Sequence, residues 1–412
     1  MRIEVHNVGY GECIVLCGGD GILMSDCGSS NIKLPCGMNF TDYVKTVVIP
    51  RYAGCGERSF LLTHCHRDHS CGLRHILKLY PKYFDRIFLP AVPEDACGRP
   101  VLLEFALYVY VFLNRLTGYS KSNTEILRVF SKAAHAAGAE CVFPVKKGDV
   151  FVSGGKEYEV LWPAATGFPY GAGFVSAVEN MDSLLKGPFM PNAAREFLQL
   201  KSRFCLAYKA CQSAAPVSPV YICELDDIMR EITAAAPNLP LLPCAPEIEK
   251  ILLDSSGLYS ETLNASSVIF QNIRSTGACS NDDVLMTGDA PPEVLGLVGD
   301  SLYGCYYAVK APHHGTKSGF PPVLRDIVPP HIIISNGLYS GGGEISPEYA
   351  ALQSVKHCTN CETCAFYNEN GYCCDDFAVC YDMKKAPGLT IKCGERQVNA
   401  ENPPCGITVI SA

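Results

Sequence analysis

The chain has 412 residues, 48% of them apolar and 18% charged, so it can build a sizeable core and, by length, two or three domains. A net charge of −8, from 34 basic against 42 acidic residues, argues against a bulk binder of polyanions. The most apolar run, 101–113, contains Glu104 and falls short of the roughly 20 apolar residues of a membrane span. Met1-Arg2-Ile3-Glu4-Val5 alternates like a strand, not like a charged leader with an apolar core, so neither a secretory signal nor a membrane partner is expected. A cytoplasmic location follows, and with it free thiols and metal sites, not disulfides, for the 23 cysteines.

In chain order, residues 1–50 read as strand-rich with glycine turns. Phe60-Leu61-Leu62-Thr63 reads as a buried strand that ends where His64-Cys65-His66-Arg67-Asp68-His69 begins. Alternation at that junction can aim His64 and His66 at one metal ion, and the turn after it can aim Asp68 and His69 at a second. Two ions roughly 3.5–4 Å apart activate a water and clamp the attacking and leaving oxygens of a hydrolysis. Imidazole with carboxylate suits zinc, and also iron or manganese. The same alternation points Cys65 away from the ions.

A helix is expected over 70–79, packed behind this loop. Arg67, Arg74, Lys78, Lys82 and Arg86 follow with few acids among them, as a solvated helix face or as the rim of the site. Residues 100–138 read as two helices, the second opening at Ser122 or Asn123 and closing at Gly138. Tyr108, Tyr110 and Phe112 are expected in the core of the first. Strands return over 141–162 around two turn sequences, Lys146-Lys147-Gly148-Asp149 and Ser153-Gly154-Gly155-Lys156. Helical stretches near 193–212, 224–235 and 247–255 lie in an insertion, 164–263, that could be a lid, a partner surface or neither. Short strands follow at 284–286 and 308–311, and Ser346-Pro347-Glu348 opens a helix.

Cysteines in apolar contexts, such as Cys13, Cys205 and Cys223, read as small buried hydrophobes. The C-terminal group differs. Cys358-x2-Cys361-x2-Cys364, then Cys373-Cys374 and Cys380, has the spacing of tetrahedral thiolate ligation. A structural zinc on Cys361, Cys364 and two of Cys358, Cys373, Cys374 and Cys380 is expected, with an iron–sulfur cluster or unligated thiols as alternatives.

The hexapeptide His64–His69 resembles the HxHxDH signature of the metallo-β-lactamase superfamily. Ile22-Leu23-Met24-Ser25-Asp26-Cys27-Gly28, Val284-Leu285-Met286-Thr287-Gly288-Asp289 and Val309-Lys310-Ala311-Pro312-His313-His314-Gly315-Thr316 resemble its other landmarks, in the same order. Asn7-Val8-Gly9-Tyr10-Gly11-Glu12-Cys13-Ile14, Leu161-Trp162-Pro163, Asn264-Ala265-Ser266-Ser267-Val268 and Ile332-Ile333-Ile334-Ser335-Asn336-Gly337 narrow the resemblance. They look like the soluble domain of bacterial DNA-uptake (competence, ComEC-like) channels, over 1–97, 139–163 and 264–356.

This resemblance implies an α/β fold, a metallo-β-lactamase αββα sandwich in two halves, 1–97 and 264–356, with return strands at 139–163. A helical pair at 98–138, the insertion at 164–263 and a metal-stapled tail at 357–412 are added to it. It implies that Asp26 supports the ligands from behind, that Asp289 bridges the two ions, and that His314 joins Asp68 and His69 on the second. Asp68 and His313 are the expected catalytic residues, His313 beside the substrate. Two departures stand out. No histidine occurs between His135 and His313 to serve the first ion, where Asn264 fits instead, and a usual His-Pro reads Ser346-Pro347. The implied function is a stand-alone dinuclear phosphodiesterase acting on nucleic acid or a nucleotide. The alternatives are a small ester or lactone hydrolase and a partner-regulated module that docks through 164–263. The superfamily's di-iron oxygen reductases carry Glu where His66 stands here.

Overall fold

The computed structural model describes residues 1–34, 36–113, 121–280, 282–337 and 345–359, and three C-terminal strands. Among them the strands form two mixed sheets, one of nine strands and one of seven. The first sheet is built on β1 (Arg2–His6), β2 (Ile14–Gly18), β3 (Gly21–Ser25), β4 (Glu57–Leu61), β5 (Arg86–Pro90) and β6 (Val142–Val145). The second holds β7 (Val150–Ser153), β8 (Lys156–Trp162), β9 (Ile269–Asn272), β10 (Val284–Met286), β11 (Ala308–Lys310), β12 (His331–Ile334) and β13 (Val355–Cys358). The C-terminal strands β14 (Gly388–Lys392), β15 (Glu395–Val398) and β16 (Ile407–Ser411) extend the first sheet past β1.

Strands β3 to β6 are parallel, as are β10 to β13. Parallel strands are covered on both faces and read as continuous apolar runs. Ile22, Leu23 and Met24 are all buried, as are Ile332, Ile333 and Ile334. One apolar cluster lies between the sheets and joins Val5, Leu16, Leu23, Leu61 and Phe88 of the first to Val160, Phe270, Met286 and Ile333 of the second. The opposite face of each sheet packs against helices. Met24, Phe60 and Ile87 meet the helical layer of the first sheet, and Leu285, Val309 and Ile334 meet that of the second. The protein is thus a mixed α/β sandwich.

The helical insertion adds helices Ala172–Leu185, Asn192–Cys211, Pro219–Ala235, Ala245–Asp254 and Ser256–Ala265. They share one core with the helix Val101–Tyr108, which continues through wider turns to Leu113. Tyr108 and Phe112 are buried in that core, whereas Tyr110 is half-buried and its ring meets Arg128. The second expected helix of 100–138 is a short tight turn, Lys121–Leu127, followed by Val129–Ala137, and Gly138 closes it at φ 105°. Among the described residues no helix is long and apolar enough to cross a membrane.

Several expectations need correction. The helix expected from Ser70 begins at Arg67, so Asp68 and His69 stand in its first turn, not in a loop. Cys223 is exposed because its position on Pro219–Ala235 faces away from the core, while Cys13 and Cys205 are buried as expected. Cys279 and Cys305, 26 residues apart, are paired as a disulfide with Cα atoms 6.2 Å apart, so not every thiol is free. Ser346 does cap a helix start, accepting from the Glu348 amide, but the element is a single tight turn, Pro347–Ala351. Arg67, Arg74, Lys78 and Lys82 are exposed, and Arg86 is paired with Glu57. Cys358 is buried on β13, while Cys361, Cys364, Cys373, Cys374 and Cys380 lie outside the described residues.

Candidate metal centre

Parallel strands end together, and the ends of β3, β4, β10, β11 and β12 deliver side chains to one edge of the sandwich, as open α/β sheets do for their ligands. Backbone bonds knit this edge. The Asp26 amide donates to Leu61 O (2.8 Å), Cys27 N to His69 O (2.9 Å), Gly28 N to Glu12 O (2.8 Å) and Glu12 N to Asp68 O (2.9 Å). The Val268 amide donates to Thr63 O at 2.9 Å and so ties the second sheet to the end of β4. Asp26 and His314 both adopt positive φ, 57° and 55°, a strained backbone of the kind that clusters at functional sites.

Four histidines meet here, and each has the ring nitrogen remote from the centre engaged by an oxygen. Asp26 Oδ2 lies 2.7 Å from His69 Nδ1 and accepts a hydrogen bond from it. The Thr63 hydroxyl donates to the same Asp26 oxygen at 2.6 Å, so towards His64 Nδ1, 3.1 Å away, it can only accept. The Ser335 carbonyl, 2.8 Å from His314 Nδ1, fixes that ring in the same sense. Ser260 Oγ, 3.1 Å from His66 Nε2, completes the set. These contacts leave His64 Nε2, His66 Nδ1, His69 Nε2 and His314 Nε2 directed inward, where a metal cation would displace any proton they carry, as in metal sites whose ligands are oriented from outside.

The inward atoms have the spacing of a coordination shell. His69 Nε2 and His314 Nε2 are 3.3 Å apart, and each lies 3.3 Å from Asp289 Oδ2. Asp68 Oδ2 is 3.5 Å from His314 Nε2. Tetrahedral zinc with bonds of about 2.0–2.1 Å places its ligand atoms roughly 3.3 Å from one another. His64 joins this group through His69 and Asp289. His64 Nε2 and His66 Nδ1 are 2.9 Å apart, closer than the tetrahedral edge, and must part slightly to share an ion. Among the described residues His66 belongs to no larger cluster of ligand atoms and reaches the centre through His64. Asn264 Oδ1 is buried without a well-formed hydrogen bond although the side chain interacts with His66, and the Asn264 amide nitrogen is 3.4 Å from His313 Nε2. A buried carbonyl oxygen so placed beside imidazoles suits a metal or substrate contact. The donor set therefore fits divalent cations.

The electrostatics agree. Burial opposes charge on His314, yet Asp289 and Asp68 raise its pKa to about 9; His69 is likewise held well above its ordinary value by Asp289 and Asp26. Burial would raise the Asp68 pKa, but His314 and His69 bring it down to about 2, and Asp289 is held well below the usual carboxylate range by the same two rings and Lys310. A negative field that stabilises imidazolium also attracts a metal cation. His64, His66 and His313 are pushed the other way, chiefly by burial, and stay neutral near pH 7. His66, Asp68, Asn264 and His313 are the half-buried members, so the centre opens on their side.

Glu12, Lys310 and Ser260 belong to this centre but take no role from the motifs. Lys310 is wholly buried on β11 and donates to Gly288 O at 2.6 Å and to Asp289 Oδ1 at 3.2 Å, with Glu12 Oε2 at 2.8 Å. Burial disfavours charge on both members of the Glu12–Lys310 pair, raising the Glu12 pKa, while Glu12 and Asp289 keep the Lys310 pKa above its ordinary value. The available signal was a lysine inside the apolar run Ala308–Ala311. Ser260 gave no signal, because helical spacing places it four residues before Asn264 only once the helix Ser256–Ala265 is known. Comparison with known protein families and with curated proteins finds no match for this chain.

Proposed function

We propose that the chain is a metal-dependent hydrolase of the metallo-β-lactamase superfamily, from the branch related to the soluble domain of DNA-uptake channels, and that it cleaves phosphodiesters of nucleic acid or nucleotides. The observation that carries this reading is the convergence of His64, Asp68, His69, Asp289 and His314, with His66 beside His64 and each of these histidines held from behind. The order of the motifs and the two facing sheets support it. Asp68, His69 and His314 would hold one divalent ion, His64, His66 and Asn264 the other, with Asp289 shared. Zinc fits best, and manganese or iron fit the same donors. When bound, such ions polarise the scissile ester and lower the pKa of water.

The protein's own groups do the rest. Lys310 pins Oδ1 of Asp289, so Oδ2 is the atom that faces His69 and His314. Neutral His313 stands half-buried at the open side, where its ring N–H can donate to a substrate oxygen as negative charge develops. The resemblance of 7–14 and 332–337 to the DNA-uptake branch favours a phosphodiester over a carboxylic ester.

The test is hydrolysis of bis(p-nitrophenyl) phosphate and of an oligonucleotide. Turnover should vanish on chelation and in Asp68→Ala and His69→Ala, with far-UV circular dichroism unchanged. Full activity in either variant would overturn the assignment. Inertness towards phosphodiesters with chelator-sensitive cleavage of a lactone would move the reading to a small ester hydrolase.

A further inference from the structure

The helix Ser256–Ala265 ends the insertion and faces two ways. Tyr259 and Leu263 are buried in the helical core, where the Tyr259 ring stands 5.1 Å from Phe105 and 6.3 Å from Phe174. One residue on, Ser260 reaches His66, and one turn later Asn264 reaches His313. Residues four apart share a helix face, so a single face of this helix meets one expected ligand and one expected catalytic group. The other three histidines are oriented by the sandwich itself, through Thr63, Asp26 and Ser335. His66 alone takes its outer contact from the insertion.

We infer that Ser260 is a positioning residue for the metal position made by His64, His66 and Asn264. Its hydroxyl accepts from His66 Nε2–H, which keeps Nδ1 unprotonated and turned towards His64 Nε2, 2.9 Å away. The insertion is then part of the metal centre, and whatever shifts the helix Ser256–Ala265 shifts His66 with it. The inference rests on the metal-centre reading above. It makes the two positions unequal. The one served by Asp68, His69 and His314 is framed wholly by the sandwich, and the other depends on how the insertion docks.

The experiment is a titration of the metal-free full chain with Zn²⁺ against a chromophoric chelator, repeated with Co²⁺ to read its visible absorption. Wild type, Ser260→Ala and Ser260→Thr are compared. Alanine is the better helix former, so Ser260→Ala should fold, and circular dichroism checks this. Loss of an outer hydrogen bond to a metal-bound histidine weakens affinity about 10–100-fold. Ser260 is exposed, so the lower end is expected: one of two ions weakened about tenfold, the other unchanged, and Ser260→Thr close to wild type. Two wild-type affinities in Ser260→Ala would overturn the inference and leave the metal centre standing. Equal weakening in Ser260→Thr and Ser260→Ala would also overturn it, because the hydroxyl would then not be the cause. A wild-type chain that binds neither ion removes the metal centre and the inference together.

Discussion

Asp26 shows how one side chain sets the chemistry of several others. Its carboxylate accepts from the Thr63 amide (2.7 Å) and hydroxyl (2.6 Å) and from His69 (2.7 Å), so it fixes His69 directly and His64 through Thr63. Asp26→Asn keeps the shape, but the amide must present either its oxygen or its NH₂ to these three donors. The expected outcome is a 10–100-fold loss of zinc affinity, read by competition with a chelator; unchanged affinity would show that the aspartate does not orient the ligands. Motif reading reached Asp26 because an apolar strand ending in Asp-x-Gly is local in sequence. It did not reach Glu12 or Lys310, whose pairing links β11 to a loop some 300 positions earlier and has no local signature.

At the scale of elements, the centre depends on how closely the end of β3 approaches the helix Arg67–Leu79. Gly28 lies against the first turn of that helix, and a Cβ there would stand 2.4 Å from Asp68 C and 2.5 Å from His69 N. Those atoms are backbone and cannot yield alone, so Gly28→Ala should cost about 1–3 kcal/mol by overpacking and weaken metal binding with it. Gly257, in the helix Ser256–Ala265, has nothing within 4 Å of its Cβ position. Gly257→Ala should instead stabilise by about 0.4–1 kcal/mol. Denaturant melts of the two variants check the pair, and destabilisation of similar size in both would contradict the account. The strands were legible where apolar runs end in turn residues, as at β10 to β12. The helix start at Arg67 was not legible because a run of histidine, arginine and aspartate looks like a loop. They occupy a helical first turn here because the Ser70 amide donates to His66 O.

For the whole molecule, stability should fall in acid for a reason remote from the centre. His6 is fully buried between the Tyr43 hydroxyl (3.0 Å) and the Tyr52 hydroxyl (2.7 Å), and burial brings its pKa from 6.5 to about 3, against the pull of Glu4 and with the push of Arg51. The folded state therefore resists a proton that the unfolded chain accepts. This contribution is complete above pH 6.5 and is lost as pH falls towards 3, with a slope of up to about 1.4 kcal/mol per pH unit. Glu4, held low by Arg51 and Tyr52 against its burial, adds a loss of the same sign at lower pH. His6→Gln should flatten the unfolding free energy between pH 4 and 6, and an unchanged slope in that variant would contradict the assignment. The α/β class and the gathering of the expected side chains at strand ends were legible from apolar runs and motif order. The union of the insertion with the first helical layer was not, because it is set by tertiary contacts such as Tyr259 on Phe105.

The most direct test of the central claim is anomalous diffraction from crystals of the protein grown or soaked with zinc. The account predicts a peak within bonding distance, about 2.0–2.2 Å, of His69 Nε2, His314 Nε2, Asp68 and Asp289 Oδ2, and a second peak beside His64 Nε2 and His66 Nδ1. Full-occupancy zinc elsewhere on the chain, with neither of these positions taken, would contradict it.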